Sequence, residues 1–170
     1  MDDNLGSGKQ AIRIFREWLN LERKHLYVEA LNSDEIDWLT KAKLIYLPII
    51  GFEDKGMQDL PAFLGSKGLR LEISPVLKLR EDQGCFHPVS GILAESDREE
   101  ARKMASEIGH QLFAKKNWTE EAKKGRALGY GNSQKLIVFW YNTPTCTLPI
   151  LWAHGEYEGR PWMPLFPRRE

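Results

Sequence analysis

The sequence predicts an α+β fold in a single domain: a largely antiparallel sheet with helices packed on one of its faces. Three observations lead there. Residues 69–79 alternate, with Leu69, Leu71, Ile73, Leu77 and Leu79 at odd positions and Arg70, Glu72, Ser74 and Lys78 at even ones. A period of two gives one buried and one wet face, the habit of antiparallel sheets. Two other segments, over 11–19 and 101–112, repeat apolar residues at helical spacing. No Pro/Ser/Gly-rich linker divides the 170 residues, a length near that of one domain. Residues 1–156 are therefore expected as one globular domain and 157–170 as a Pro- and aromatic-rich C-terminal arm.

The elements follow in order. Ala11, Ile12, Ile14, Phe15, Trp18 and Leu19 cover about half a helical wheel, with Arg13, Arg16, Glu17 and Asn20 opposite, so a helix is expected over 8–24 with Ser7 as its N-cap. His25, beside Arg23 and Lys24, suits the negative end of that helix. Asn32 and Glu35 form a capping-box start for a short helix through Ala42. The continuous apolar run Leu44–Ile50 reads as a buried strand. Pro75 cannot donate to a ladder, which makes 69–79 an edge or bulged strand. Glu81-Asp82-Gln83-Gly84 supplies turn chemistry, and Cys85–Leu93 is expected to return as its antiparallel partner.

Ser96 with Glu99 opens the longest helix, whose buried arc is Ala101, Met104, Ala105, Ile108 and Leu112, with His110 opposite in water. Asn117 or Thr119 caps a shorter helix that ends near Gly129. Leu136–Tyr141 and Thr147–Ala153 read as a hairpin about Asn142–Thr145, although Ser133 could instead cap a buried helix through Tyr141.

Composition narrows function. Lys+Arg and Asp+Glu are 24 each, so the zero net charge gives no general attraction for nucleic acid or anionic membrane. No apolar stretch of about 18 residues exists to cross a bilayer. The acidic start Met1-Asp2-Asp3-Asn4 is the reverse of a secretory signal, and the two cysteines form no disulfide framework. A cytoplasmic protein with reduced thiols is expected.

Cys85, Phe86 and His87 are the first chemical candidates. On a strand, positions i and i+2 share a face, so thiol and imidazole would be neighbours, half of a zinc site or a thiolate–imidazole pair. Cys146 and His154 could supply the other half, but on one straight strand they stand about 26 Å apart, unless the chain bends at Pro149. The tight ligand pairs of zinc sites are missing. No metal and no cofactor are expected, and Cys85, His87 and His154 remain the candidates for catalysis.

Leu5-Gly6-Ser7-Gly8-Lys9-Gln10 resembles a phosphate loop in outline. The P-loop pattern fails at Asp3 and Gln10, and no strand is expected ahead of it. Glu53, Asp54 and Asp59 follow the 44–50 strand and could hold a divalent cation for phosphodiester chemistry. Asp59 and Glu72 suggest the nuclease pattern, but Ser74 stands where its lysine belongs. Lys115, Lys116, Lys123, Lys124 and Arg126, with Trp118 and Tyr130, make a basic cluster that reads as a solvated helix face, diluted by Glu120 and Glu121. The segment 119–141 has a helix-turn-helix outline, but its second half is too apolar for a major groove. Gly125–Gly131 reads as a helix end entering a Gly-rich turn, with Gly129 at C′.

The arm gathers Trp162, Met163, Leu165 and Phe166 among Pro161, Pro164 and Pro167. Prolines pre-order an extended chain, and large apolar side chains seek a surface. Trp162, Met163 and Phe166 are thus candidate binding residues for their own domain, a protein partner or a second copy. The resulting expectation is a non-catalytic cytosolic interaction domain. The alternative is a small hydrolase or metal-dependent enzyme centred on Cys85 and His87.

Overall fold

The computed structural model describes residues 2–22, 28–53 and 55–168. It divides into two compact units, 1–80 and 81–170.

The first unit runs β1 (Asp2–Leu5), α1 (Lys9–Trp18), α2 (Ser33–Lys41), β2 (Lys43–Tyr46), β3 (Pro48–Phe52), α3 (Lys55–Gly65), β4 (Arg70–Ile73) and β5 (Leu77–Leu79). Its ladders are all parallel: β3 lies between β1 and β5, and β2 pairs with β4. Lys43 faces Arg70 and Ile50 faces Leu77, so one offset of 27 positions runs through both pairings. Ser74 N donates to Tyr46 O at 3.0 Å and Val76 N to Pro48 O at 3.1 Å, which joins them. Segments 43–52 and 70–79 are thus two strands side by side, interrupted where Pro48 and Pro75 lack an N–H.

This overturns the expected antiparallel sheet. The sheets are small, with parallel pairs and a single antiparallel pair among the described residues. Cys85–Leu93 is no partner strand; it forms turns and a short 3-10 helix at Pro88–Ser90. The reason is α3. Parallel strands need a long crossover, and Gly56, Pro61 and Gly65 mute the helical signal of this one. Alternation in 69–79 reports the faces correctly: Leu69, Leu71 and Ile73 join the core, while Arg70 and Glu72 are exposed. It says nothing of strand direction. Leu77 departs from the pattern and is half exposed.

The core of this unit gathers Leu5, Ala11, Leu39, Leu60, Leu64 and Leu69. Gly51 lets Pro75 approach, since a Cβ there would stand 2.9 Å from the proline ring. The capping box of α2 forms as expected: Asn32 Oδ1 accepts from Asp34 N and Glu35 N at 3.0 Å, and Glu35 Oε2 accepts from Asn32 N at 2.8 Å. Glu17, expected on the wet face of α1, is fully buried, and its Oε2 accepts from Val28 N at 3.3 Å. Arg23, Lys24 and His25 lie outside the described residues.

The second unit holds α4 (Glu95–Leu112), α5 (Glu120–Lys124), α6 (Pro149–Trp152) and the antiparallel hairpin β6 (Gly155–Tyr157) and β7 (Arg160–Trp162). Glu158 (φ 49°) and Gly159 (φ 72°) make its two-residue turn, with the positive φ values that such hairpins require. Two apolar clusters pack it. One is Cys85, Phe86, Ala105, Leu128 and Leu148; the other is Ile108, Leu112, Phe113 and Ala153. The buried stripe of α4 holds Ala105, Ile108, Gly109 and Leu112, but Met104 is exposed, and His110 is half-buried beside Glu120 at 3.0 Å. Ser96 donates to Asp97 instead of capping α4.

The hairpin expected over 136–153 does not form, nor does a helix through Tyr141. A single parallel bridge joins Lys135 to Thr147, and Pro149 opens α6 at a first-turn position that needs no N–H. Thr119 caps α5, its Oγ1 accepting from Ala122 N at 3.2 Å. That helix closes at Gly125, short of Gly129. Gly129 serves a close crossing instead: a Cβ there would meet Cys146 O at 2.3 Å.

Candidate functional site

The first unit brings a Gly-rich turn to the carboxyl edge of its parallel sheet. Leu5 pairs with Gly51 and Phe52 with Leu79, so β1, β3 and β5 end side by side. In open parallel sheets, ligands bind outside this edge. Residues 6–8 leave β1 here and enter α1 directly. Gly8 is the N-cap, with φ 69° in the left-handed region, and no side chain caps the helix. The N–H groups of Lys9, Gln10 and Ala11 have no hydrogen-bond partner among the described residues. The first turn carries no acidic residue, although Asp and Glu are usual there, and it begins with a lysine. Such a terminus accepts anions. A strand therefore does precede the phosphate-loop-like sequence, and Ser7 is not its cap. Glu53 stands exposed at the end of β3, its N–H donating to Leu79 O at 2.9 Å. Asp54 lies outside the described residues.

The Cys/His candidates fall in the second unit and do not come together. Among the described residues, no three His, Cys, Asp or Glu side chains converge as metal ligands. Cys85 is buried, and burial pushes its thiol above the ordinary value, the opposite of an activated nucleophile. His87 caps the 3-10 turn, its Nδ1 accepting from Val89 N at 3.3 Å. No hydrogen bond joins it to Cys85. Cys146 is buried, and neither cysteine forms a disulfide. His154 is exposed and lines a groove of about 550 Å³ with Gln111, Lys115, Lys116 and Glu156.

The other sequence candidates are occupied locally. Asp59 sits on α3, not in a loop, and Glu72 pairs with Lys43 across the strands. Lys115 is bound to Glu156 at 2.5 Å and Lys123 to Glu120 at 2.9 Å. Arg126 lies over the rings of Trp118, at 4.8 Å, and Tyr130, at 5.4 Å. In the arm, Trp162 packs against the Ile108 cluster and its Nε1 donates to Ile150 O at 3.0 Å. Phe166 N donates to Leu151 O at 2.8 Å with its ring part exposed, and Met163 is 83 % exposed. Among the described residues, no helix is long and apolar enough to cross a membrane.

Sequence reasoning weighed 5–10 as a phosphate loop and set it aside partly for want of a preceding strand, which the structure supplies at Asp2–Leu5. The glycine spacing differs from the P-loop, but the strand, the turn and the uncapped helix follow the same physical plan. No curated protein and no solved structure matches the sequence. The family model described as PRTase-CE matches residues 1–168, and the chain belongs to that family.

Proposed function

We propose that this chain is a phosphoribosyltransferase-like protein that takes a 5-phosphoribosyl group, with the 5′-phosphate held at the turn 6–8 and the first turn of α1. Membership of a family described as PRTase-CE supports the ligand class. The observation that carries the reading is the uncapped, acid-free N-terminus of α1 at the carboxyl edge of parallel strands. A phosphate dianion there receives backbone N–H groups, the positive end of the helix and the charge of Lys9. The reading of a non-catalytic interaction domain draws no support from the family match.

Calorimetric titration with ribose 5-phosphate, 5-phosphoribosyl diphosphate and unphosphorylated ribose tests this. The phosphorylated sugars should bind and ribose should bind at least about tenfold more weakly. Gly8→Asp places a carboxylate where the phosphate belongs and should weaken binding by about tenfold or more. Gly8→Asn, which tolerates the same backbone region without charge, should retain most of it. Wild-type protein that binds neither phosphorylated sugar up to about 10 mM would overturn the reading.

A further inference from the structure

Helices α1 and α2 flank an apolar cavity of about 440 Å³, lined by Trp18, Leu31, Asp34, Glu35, Trp38 and Leu39. Trp18 closes α1, so the cavity lies about 13 Å along that helix from Lys9 and the turn 6–8. The sequence builds it locally. Leu31 N donates to Trp18 O at 2.8 Å, which brings the approach to α2 against the end of α1. The capping box at Asn32 then fixes where α2 starts. Asp34 and Trp38 are four residues apart on that helix, as are Glu35 and Leu39, so the four share one side of it. Phe15 holds the Trp18 ring edge to face, with centroids 5.6 Å apart. Leu39 is buried and forms the floor, whereas Asp34 and Glu35 are exposed at the rim and Trp38 is 66 % exposed.

The charge around the cavity is one-sided. Nearby cations are already paired, Arg16 with Glu22 at 2.7 Å and Lys41 with Asp37 at 2.5 Å. Glu35 spends one oxygen on the capping box, and among the described residues no cation pairs with Asp34 or Glu35. An indole face attracts cations through its ring quadrupole, more strongly where water is excluded. We propose that this cavity binds a methylated ammonium group. The methyl groups suit the leucines, and the positive charge suits the two indoles and the two carboxylates. A bare ammonium is strongly hydrated and gives up that water at a cost, and a neutral group of the same shape gains nothing from the carboxylates.

NMR titration of the full chain, followed at the tryptophan indole N–H signals, tests this with choline and with its neutral isostere, in which a tert-butyl group replaces the trimethylammonium. Choline should bind with a Kd of about 10 mM or tighter, and the neutral isostere at least about tenfold more weakly. Trp38→Leu keeps an apolar surface but removes one indole, and should weaken choline binding at least about fivefold. Asp34→Asn should weaken it about threefold or more. Both positions are exposed, and far-ultraviolet circular dichroism will confirm that both variants fold. A peptide carrying trimethyl-lysine, set beside its unmethylated equivalent, identifies the source of the cation. Tighter binding than choline assigns a modified protein tail, and binding no tighter assigns a free small cation. The proposal is overturned if the neutral isostere binds as tightly as choline, if Trp38→Leu leaves choline binding unchanged, or if choline moves no indole signal up to about 50 mM.

Discussion

Cys85 packs among Phe86, Ala105, Leu128 and Leu148 and is 6 % exposed. The thiolate is the reactive form of cysteine, and burial disfavours it. Modification by a thiol reagent at about pH 7.5 should therefore be at least roughly tenfold slower in the native protein than in denaturant. Rapid native labelling mapped to Cys85 would contradict this. The pairing of Cys85 with His87 was legible as a spacing, and the spacing is real. It required a strand, however, and Pro88 begins a 3-10 turn that spends His87 as a cap. The residues 2–9 illustrate the converse. Their resemblance to a phosphate loop was set aside for want of a preceding strand, and the strand that does precede them is only four residues long, too short for a periodic signal.

At the scale of elements, α4 separates what a helical wheel can and cannot show. The wheel gave the helix and most of its buried stripe. Met104 sits at the margin of that stripe, and in the structure it is 53 % exposed. Gly109 counts for nothing on a hydrophobicity scale, yet it is buried, because the chain at Ala127 crosses the helix there. An added Cβ would stand 2.0 Å from Ala127 O. Gly109→Ala should thus destabilise the protein by about 3 kcal/mol or more, despite a gain of up to about 1 kcal/mol in helix propensity. Met104→Asp should change stability by no more than about 1 kcal/mol. Urea denaturation of the two variants side by side checks both values. A neutral Gly109→Ala would show that the crossing is looser than described, and a costly Met104→Asp would restore the wider stripe.

For the molecule as a whole, the elements were more legible than their connections. The runs at 44–50 and 69–79, the capping box at Asn32 and the long helix all appear near their expected places. The parallel topology was hidden because it depends on α3, where Leu60 and Leu64 are fully buried but Gly56, Pro61 and Gly65 break the helical pattern. Topology can be tested directly. Ile45 and Glu72 are register partners on neighbouring parallel strands, and both are exposed on the same face. Ile45→Cys combined with Glu72→Cys should form an intramolecular disulfide under mild oxidation. The bridge closes a loop of about 28 residues and should add at most about 3.5 kcal/mol of stability, seen as a raised melting temperature that reverts on reduction. The Lys43–Glu72 ion pair lost in the variant is exposed and contributes little. Ile45→Cys with Ser74→Cys is the register control, since Ser74 lies on the same face two positions farther along. It should cross-link more slowly than the Glu72 pair. If the two bridges form equally fast, or if neither forms, the shared offset of 27 is wrong, and with it the placing of turn 6–8 beside the ends of β3 and β5 loses its support.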